Sequence, residues 1–353
     1  MRAVVFEEFG VLAEVHAVAD PVPPPGGVVV AVEATGLCRS DWHGWMGHDP
    51  DIALPHVPGH EFAGTVASVG AGVSGWRAGD RVTAPFVCAC GTCAACAAGD
   101  HQVCERQTQP GFTYWGSYAE YVVVPQASVN LVRLPDGLAC GDAAALGCRF
   151  ATSFRAVVDQ GRVRAGEWVA VQGCGGVGLS AIMIAAASGA RVVAVDVSEA
   201  ALELARRCGA TVCLNASGTP DVAQAVRDAT GGGAHLSIDA LGSPATCAAS
   251  ILSLRRRGRH VQVGLLPAAL GRPELPMDQV IARELEILGS HGMAAHAYPR
   301  LLALVTSGVL DPGLLVTATI SLGEAPAALA SMDRSPLAGV RLIAPVTAPL
   351  IAP

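Results

Sequence analysis

The sequence predicts an α/β protein with two unlike domains, an irregular β domain joined to a doubly wound parallel sheet. Three observations carry that expectation. Residues 1–135 alternate short β-like runs with Gly, Pro and Asp turns. From about residue 152, apolar strands alternate with Ala-rich helices. The turn between the first such strand and helix is rich in glycine.

Each element follows in order. VVVAVEATG (28–36), EFAGTVASVG (61–70), DRVTAPFV (80–87) and YAEYVVVP (118–125) read as strands, with PVPPPGG at 21–27 as a turn. The second texture begins with EWVAVQG (167–173) and the helix GLSAIMIAAASG (178–189). RVVAVDV (191–197) and the helix SEAALELARRCGA (198–210) continue it, and HLSIDA, RHVQVGL and LEILGSH supply three later strands. The pattern turns mixed again after about residue 290. The expected domains are 1–151 for the β domain, 152–290 for the parallel sheet, and 291–353 as a return to the first domain.

Composition narrows the function classes. The chain has 353 residues and a formal charge of -7, which argues against nucleic acid and anionic membrane as partners. It contains no lysine, so its whole basic complement is arginine. No apolar run reaches the roughly 18 residues a membrane helix needs, and MRAVVFEEFG lacks the apolar core of a signal peptide. A cytoplasmic protein is expected. In that reducing compartment, clustered cysteines point to metal or catalysis instead of disulfides.

The glycine turn reads Gly173-Cys174-Gly175-Gly176-Val177-Gly178. It follows an apolar strand and opens a helix, and a second strand ends in Asp196. In this setting Gly173 permits the tight turn, Gly175 lets backbone approach a pyrophosphate, and Gly178 allows close helix–strand packing. Gly176 and Val177 open the helix whose N-terminus faces the phosphates. A carboxylate at Asp196 accepts hydrogen bonds from ribose hydroxyls and repels a 2′-phosphate, so NAD is expected over NADP.

Two sets of metal-binding residue types stand out. Cys90, Cys93, Cys96 and Cys104 follow C-x2-C-x2-C-x7-C, which suits a closed four-thiolate zinc site with no room for substrate. An iron–sulfur cluster is the minor reading of the same run. Cys88 falls outside the pattern, as a free thiol or an exchange partner for Cys90. Cys38, His60 and Cys148 are scattered, yet a thiolate, an imidazole and a second thiolate make a three-ligand zinc site with an open fourth position.

Together, C-R-S-D-x-H at 38–43, G-H-E at 59–61, the cysteine loop, L-G-C at 146–148 and the nucleotide fingerprint resemble the zinc-containing alcohol dehydrogenases of the medium-chain dehydrogenase/reductase superfamily. The resemblance covers essentially the whole chain. It implies a GroES-like catalytic domain, a Rossmann domain, two zinc ions per chain and NAD. It assigns the catalytic zinc to Cys38, His60 and Cys148, with Glu61 as a transient ligand and Asp41 bracing His60. It gives Ser40 and His43 the proton path, Arg39 the pyrophosphate, and Thr152 a place against the nicotinamide. Trp42, Phe86 and Trp115 are candidate substrate-pocket residues, so medium-chain, cyclic or aromatic alcohols are expected. The short segment between Cys104 and Cys148 is similar to that of the bacterial tetrameric branch, which implies a homotetramer with LEILGSH as a pairing edge. The residues leave two other readings open: a zinc-independent quinone or enoyl reductase, and a non-enzymatic nucleotide or redox sensor.

Overall fold

The computed structural model describes residues 1–266, 272–333 and 338–345. It divides into two units. Unit one comprises Met1–Cys148, Gly292–Thr306 and the described part of Val316–Pro353; unit two comprises Arg149–His291 and Ser307–Leu315.

Unit one begins with the strands β1 (Arg2–Val5) and β2 (Glu14–Ala17), an antiparallel pair. The long strand β3 (Val28–Leu37) is buried along most of its length. It pairs antiparallel with β4 (Phe62–Val69), which continues through β5 (Arg81–Thr83). β6 (Tyr121–Val124) takes the first half of β3's opposite edge, and β7 (Val132–Arg133) pairs with β5. Valines of β3, β4, β5 and β6 form one core with Phe62. Between β3 and β4 the chain makes a short helix, α1 (Arg39–Trp45), in a domain read from sequence as β throughout.

Unit two holds a six-stranded parallel sheet. Its strands are β8 (Trp168–Gln172), β9 (Arg191–Asp196), β10 (Val212–Asn215), β11 (Ala234–Asp239), β12 (Leu254–Gln262) and β13 (Glu286–Gly289). Their order is β10-β9-β8-β11-β12-β13, the doubly wound arrangement. β8 is buried throughout, as expected of a strand covered on both faces. The intervening helices include α2 (Gly176–Ala187), α3 (Glu199–Arg207), α4 (Val222–Thr230) and α5 (Pro244–Leu252).

The return to unit one is made by β14 (Val316–Ser321) and β15 (Val340–Ala344), which pair in parallel. β15 then pairs antiparallel with the end of β3, Arg341 opposite Leu37 and Ile343 opposite Thr35. Three stretches differ from the expected domains. Residues 149–151, His291 and residues 307–315 fold with unit two; the helical stretch after Cys148 and the turn Pro312–Leu315 both lean on α2. No helix among the described residues is long and apolar enough to cross a membrane.

Candidate functional site

The first candidate centre starts where β3 ends. Cys38 caps α1 in an extended conformation (φ -115°, ψ 150°), and Asp41 at the third helical position reaches back to accept the Cys38 backbone N–H at 3.0 Å. Asp41 is 1% exposed and accepts three further hydrogen bonds. They come from the Gly59 N–H (3.1 Å), the Tyr118 hydroxyl (2.8 Å) and His60 Nδ1 (2.8 Å). With its Nδ1 proton committed to Asp41, His60 keeps Nε2 as the nitrogen that would bind a cation in place of a second proton. That atom is buried and has no hydrogen-bond partner.

Donor atoms of Cys38, His60, Glu61 and Cys148 all lie within 4.8 Å of one another. Cys148 arrives on a π-helical turn, Leu146–Phe150, a backbone form that recurs at functional sites. The Tyr298 hydroxyl donates to the Gly147 carbonyl at 3.1 Å and pins that turn. Burial opposes charge on His60, but Asp41 and Cys38 outweigh it and hold its pKa well above 6.5. A pocket of thiols and carboxylates that draws positive charge onto its only imidazole suits a cation. An orphaned imidazole nitrogen between two sulfurs suits zinc in particular.

Ser40 Oγ lies 3.9 Å from Cys38 Sγ. The His60 ring is flanked by Phe112 (centroids 5.3 Å) and Phe86 (6.2 Å). Phe112 was not singled out from sequence, since one Phe in a Gly-rich loop carries no periodic signal. Trp42 is a core residue 9% exposed, with the Arg39 guanidinium 4.0 Å over its ring, so its packing is spent inside the unit. Trp115 is partly exposed and donates its indole N–H to the Pro55 carbonyl at 3.0 Å. Arg39 forms an exposed pair with Asp333 at 3.0 Å, the kind of contact worth only about 0–1 kcal/mol and easily exchanged.

The C-terminus of α1 matters as well. Gly47 adopts φ +77°, its N–H bonds the Gly44 carbonyl, and the His48 N–H bonds the His43 carbonyl at 3.0 Å. These two bonds define a Schellman cap, which brings the side chains at either end of the longer bond together. His43 Nδ1 and His48 Nδ1 are accordingly 2.9 Å apart. Burial, then Arg39 and His48, lower the His43 pKa below 6.5.

The second centre is the cysteine loop. Cys90, Cys93, Cys96 and Cys104 cluster, with sulfur separations of 3.9 Å (90–96), 3.5 Å (93–96) and 3.7 Å (93–104). A tetrahedron with Zn–S bonds of about 2.3 Å has an edge of about 3.8 Å, so the spacing fits. The Thr92 N–H and the Arg106 guanidinium lower the Cys90 thiol to about 5, whereas burial and neighbouring sulfurs raise Cys96 to about 12. Four sulfurs this close cannot all ionise without a cation among them. Cys88 is not part of the group. It sits in the valine core beside the Tyr114 hydroxyl (3.5 Å), and burial lifts its thiol to about 11.

In unit two, the glycine turn joins β8 to α2. Gly173 has φ +89°, and a Cβ on Gly178 would lie 1.8 Å from the Gly173 carbonyl oxygen. A Cβ on Gly175 would meet nothing within 4 Å, leaving space above the first turn of α2 that suits a pyrophosphate. Gly176 and Val177 open the helix, and a Cβ on Gly176 would strike the buried Arg149 side chain, which sequence reading passed over. Asp196 accepts the Cys174 N–H at 2.6 Å and the Ser198 N–H at 2.9 Å, so its carboxylate is fixed beside the turn. Thr152 Oγ1 is buried with no hydrogen-bond partner.

Comparison with known proteins reveals extensive likeness. The zinc-binding dehydrogenase family model matches residues 176–307, and the alcohol dehydrogenase GroES-like domain model matches residues 24–136. An alcohol dehydrogenase of Geobacillus stearothermophilus is 37% identical over 292 residues, covering 82% of this chain and 84% of the relative. An NAD-dependent alcohol dehydrogenase of Sulfurisphaera tokodaii is 33% identical over 354 residues, covering 98% and 100%. Among solved structures, the alcohol dehydrogenase TADH from Thermus sp. ATN1 superposes with a TM-score of 0.88 at 34% identity, covering 98% and 99%.

Proposed function

Because this chain belongs to the zinc-type medium-chain dehydrogenase family, we propose that it is a zinc- and NAD-dependent alcohol dehydrogenase. It interconverts a primary or secondary alcohol with the corresponding aldehyde or ketone. The observation that carries this reading is the His60 Nε2 atom, buried and unpartnered between Cys38 and Cys148. Cys38, His60 and Cys148 hold the catalytic zinc, with Glu61 as an exchange ligand, and Cys90, Cys93, Cys96 and Cys104 hold a structural one. Zinc supplies Lewis acidity that acidifies a hydroxyl or polarises a carbonyl, and NAD(H) supplies the hydride acceptor or donor.

The remaining work falls to side chains. Asp41 keeps the Nδ1 proton on His60 and fixes the ring's orientation. Ser40 Oγ receives the substrate's hydroxyl proton, and His43, neutral near pH 7 because its pKa is lowered, passes it outward. Gly173, Gly175, Gly176, Val177 and Gly178 would seat the pyrophosphate, Asp196 would take the ribose hydroxyls and Thr152 would abut the nicotinamide, while Arg39 keeps the phosphate role that the family resemblance implies. Phe86 and Phe112 beside His60 make the surroundings apolar, which favours cyclic, aromatic or medium-chain alcohols. The twelve cysteines, none of them bridged, suit a cytoplasmic enzyme. β13 closes the sheet order with an outer edge through which a homotetramer could be built.

The test combines activity with metal content. Wild-type protein should carry two zinc ions per chain and form NADH from secondary or aromatic alcohols. Cys148→Ala should retain about one zinc and lose turnover. Zinc-replete protein that binds NADH yet leaves every alcohol and carbonyl unchanged would overturn the reading.

A further inference from the structure

We propose that His48 is the outlet of the proton path, receiving the proton from His43 and releasing it to water. The inference rests on the reading of His43 as a relay residue and extends it by one imidazole. Its basis is the helix end described above. The Gly47 turn folds residue 48 back against residue 43, and the two Nδ1 atoms meet at 2.9 Å. At that distance one Nδ1 donates and the other accepts, so the pair shares a single proton between the rings. Neither Nε2 has a protein partner among the described residues, which leaves one open nitrogen at each end of the pair.

Position gives the pair a direction. His43 is partly buried on α1, whereas His48 is exposed. Trp42 packs edge-on against both rings, with centroids 5.0 Å from His43 and 5.8 Å from His48, and holds them in register. The charged and titratable groups facing His43 are Arg39 and Cys38 at the start of α1, His48 beyond its end, and Asp333, which pairs with Arg39. Arg39 and His48 disfavour a charge on His43, while Cys38 and Asp333 oppose them more weakly; burial is the largest influence and also lowers the pKa. A proton arriving at His43 is therefore pushed onward.

The transfer balances without electrons. His43 Nε2 gains a proton, the His43 Nδ1–H bond breaks as the His48 Nδ1–H bond forms, and His48 Nε2 gives its proton to water. Both rings end as the opposite tautomer, and the start is restored when each ring exchanges its protons with water, His48 freely and the partly exposed His43 through its open side.

His48→Gln and His43→Gln holoenzymes test this, with steady-state alcohol oxidation followed from pH 5.5 to 9 at several buffer concentrations. His48→Gln should lower kcat about threefold to tenfold below pH 7, short of the ~100-fold or more of direct acid–base catalysis. KM should be unchanged, and rate should return in proportion to added imidazole. Nitrogen NMR of the wild type should show the two Nδ1 atoms sharing one proton, a signal that His48→Gln removes. If His43→Gln is impaired while His48→Gln keeps the wild-type profile and buffer independence, the outlet is refuted and the His43 reading stands. If neither variant changes the profile, the relay reading falls and this one with it.

Discussion

Asp196 serves two structural partners before any cofactor arrives. Its oxygens hold the Cys174 and Ser198 N–H groups, so the carboxylate keeps one orientation beside the glycine turn. Asp196→Gly should raise the NADP/NAD ratio of kcat/KM about tenfold or more, the order expected when a charge-assisted hydrogen bond worth ~1.5–3 kcal/mol is lost to one cofactor. A ratio that does not move would remove Asp196 from ribose recognition. At this scale the sequence was legible where chemistry dictates residue type. Thiols at C-x2-C-x2-C-x7-C and a histidine followed by glutamate announce themselves because few structures need them otherwise. Phe112, Tyr118, Tyr298 and Arg106 did not, since each acts through a contact made far away in the chain. His48 was different. The G-H pair just after the D-W-H segment held the cap signal, and a glycine ending a helix predicts which two side chains will meet.

Among the elements, the β8–α2 unit separates packing from binding in two neighbouring glycines. Gly178→Ala would drive a methyl into the Gly173 carbonyl, and should cost about 3 kcal/mol or more in stability. Gly175→Ala meets no protein atom, so its melting temperature should stay near wild type while NAD affinity falls. Calorimetry with NAD titration reads both, and a Gly175→Ala protein with unchanged NAD affinity would remove the pyrophosphate from that space. The strands of unit two were easy to read because burial on both faces makes them continuous apolar runs. α5 was missed because its alanines, threonine and cysteine blur helical periodicity, whereas α4 is amphipathic, with Ala223, Val226 and Thr230 on its buried face, and was passed over only because it is short. Their ends were nonetheless written in the chain. Asp221 accepts the Gln224 N–H, Ser243 precedes Pro244 in a capping box, and Gly231 closes α4 at φ +69°. α1 is too short for a periodic pattern, and its Cys38 cap was read only as a ligand.

For the molecule as a whole, buried thiols set the alkaline limit. Burial raises Cys88 from 9.0 to about 11 and Cys208 to about 12. Because the folded pKa lies above the unfolded one, their contribution is complete below pH 9 and declines as pH rises toward those values. Each such thiol costs about 1.4 kcal/mol per pH unit across that interval. Urea unfolding should show stability falling from pH 9 to 11, and Cys88→Ala should flatten the slope. A slope unaffected by that variant would mean that Cys88 ionises in the fold. The pairing of β3 has a consequence in time. Cys38 follows directly on the strand end that β15 covers, with Leu37 opposite Arg341. During synthesis from the N-terminus, β3, β4 and β6 are available early, but that edge stays open until residues 340–344 leave the ribosome. On the proposed assignment, the four-thiolate loop, complete by residue 104, would be able to hold an ion while the chain is still growing. The Cys38 centre lacks Cys148 until later and its strand edge stays open until β15 is made, so the structural ion would be bound before the catalytic one.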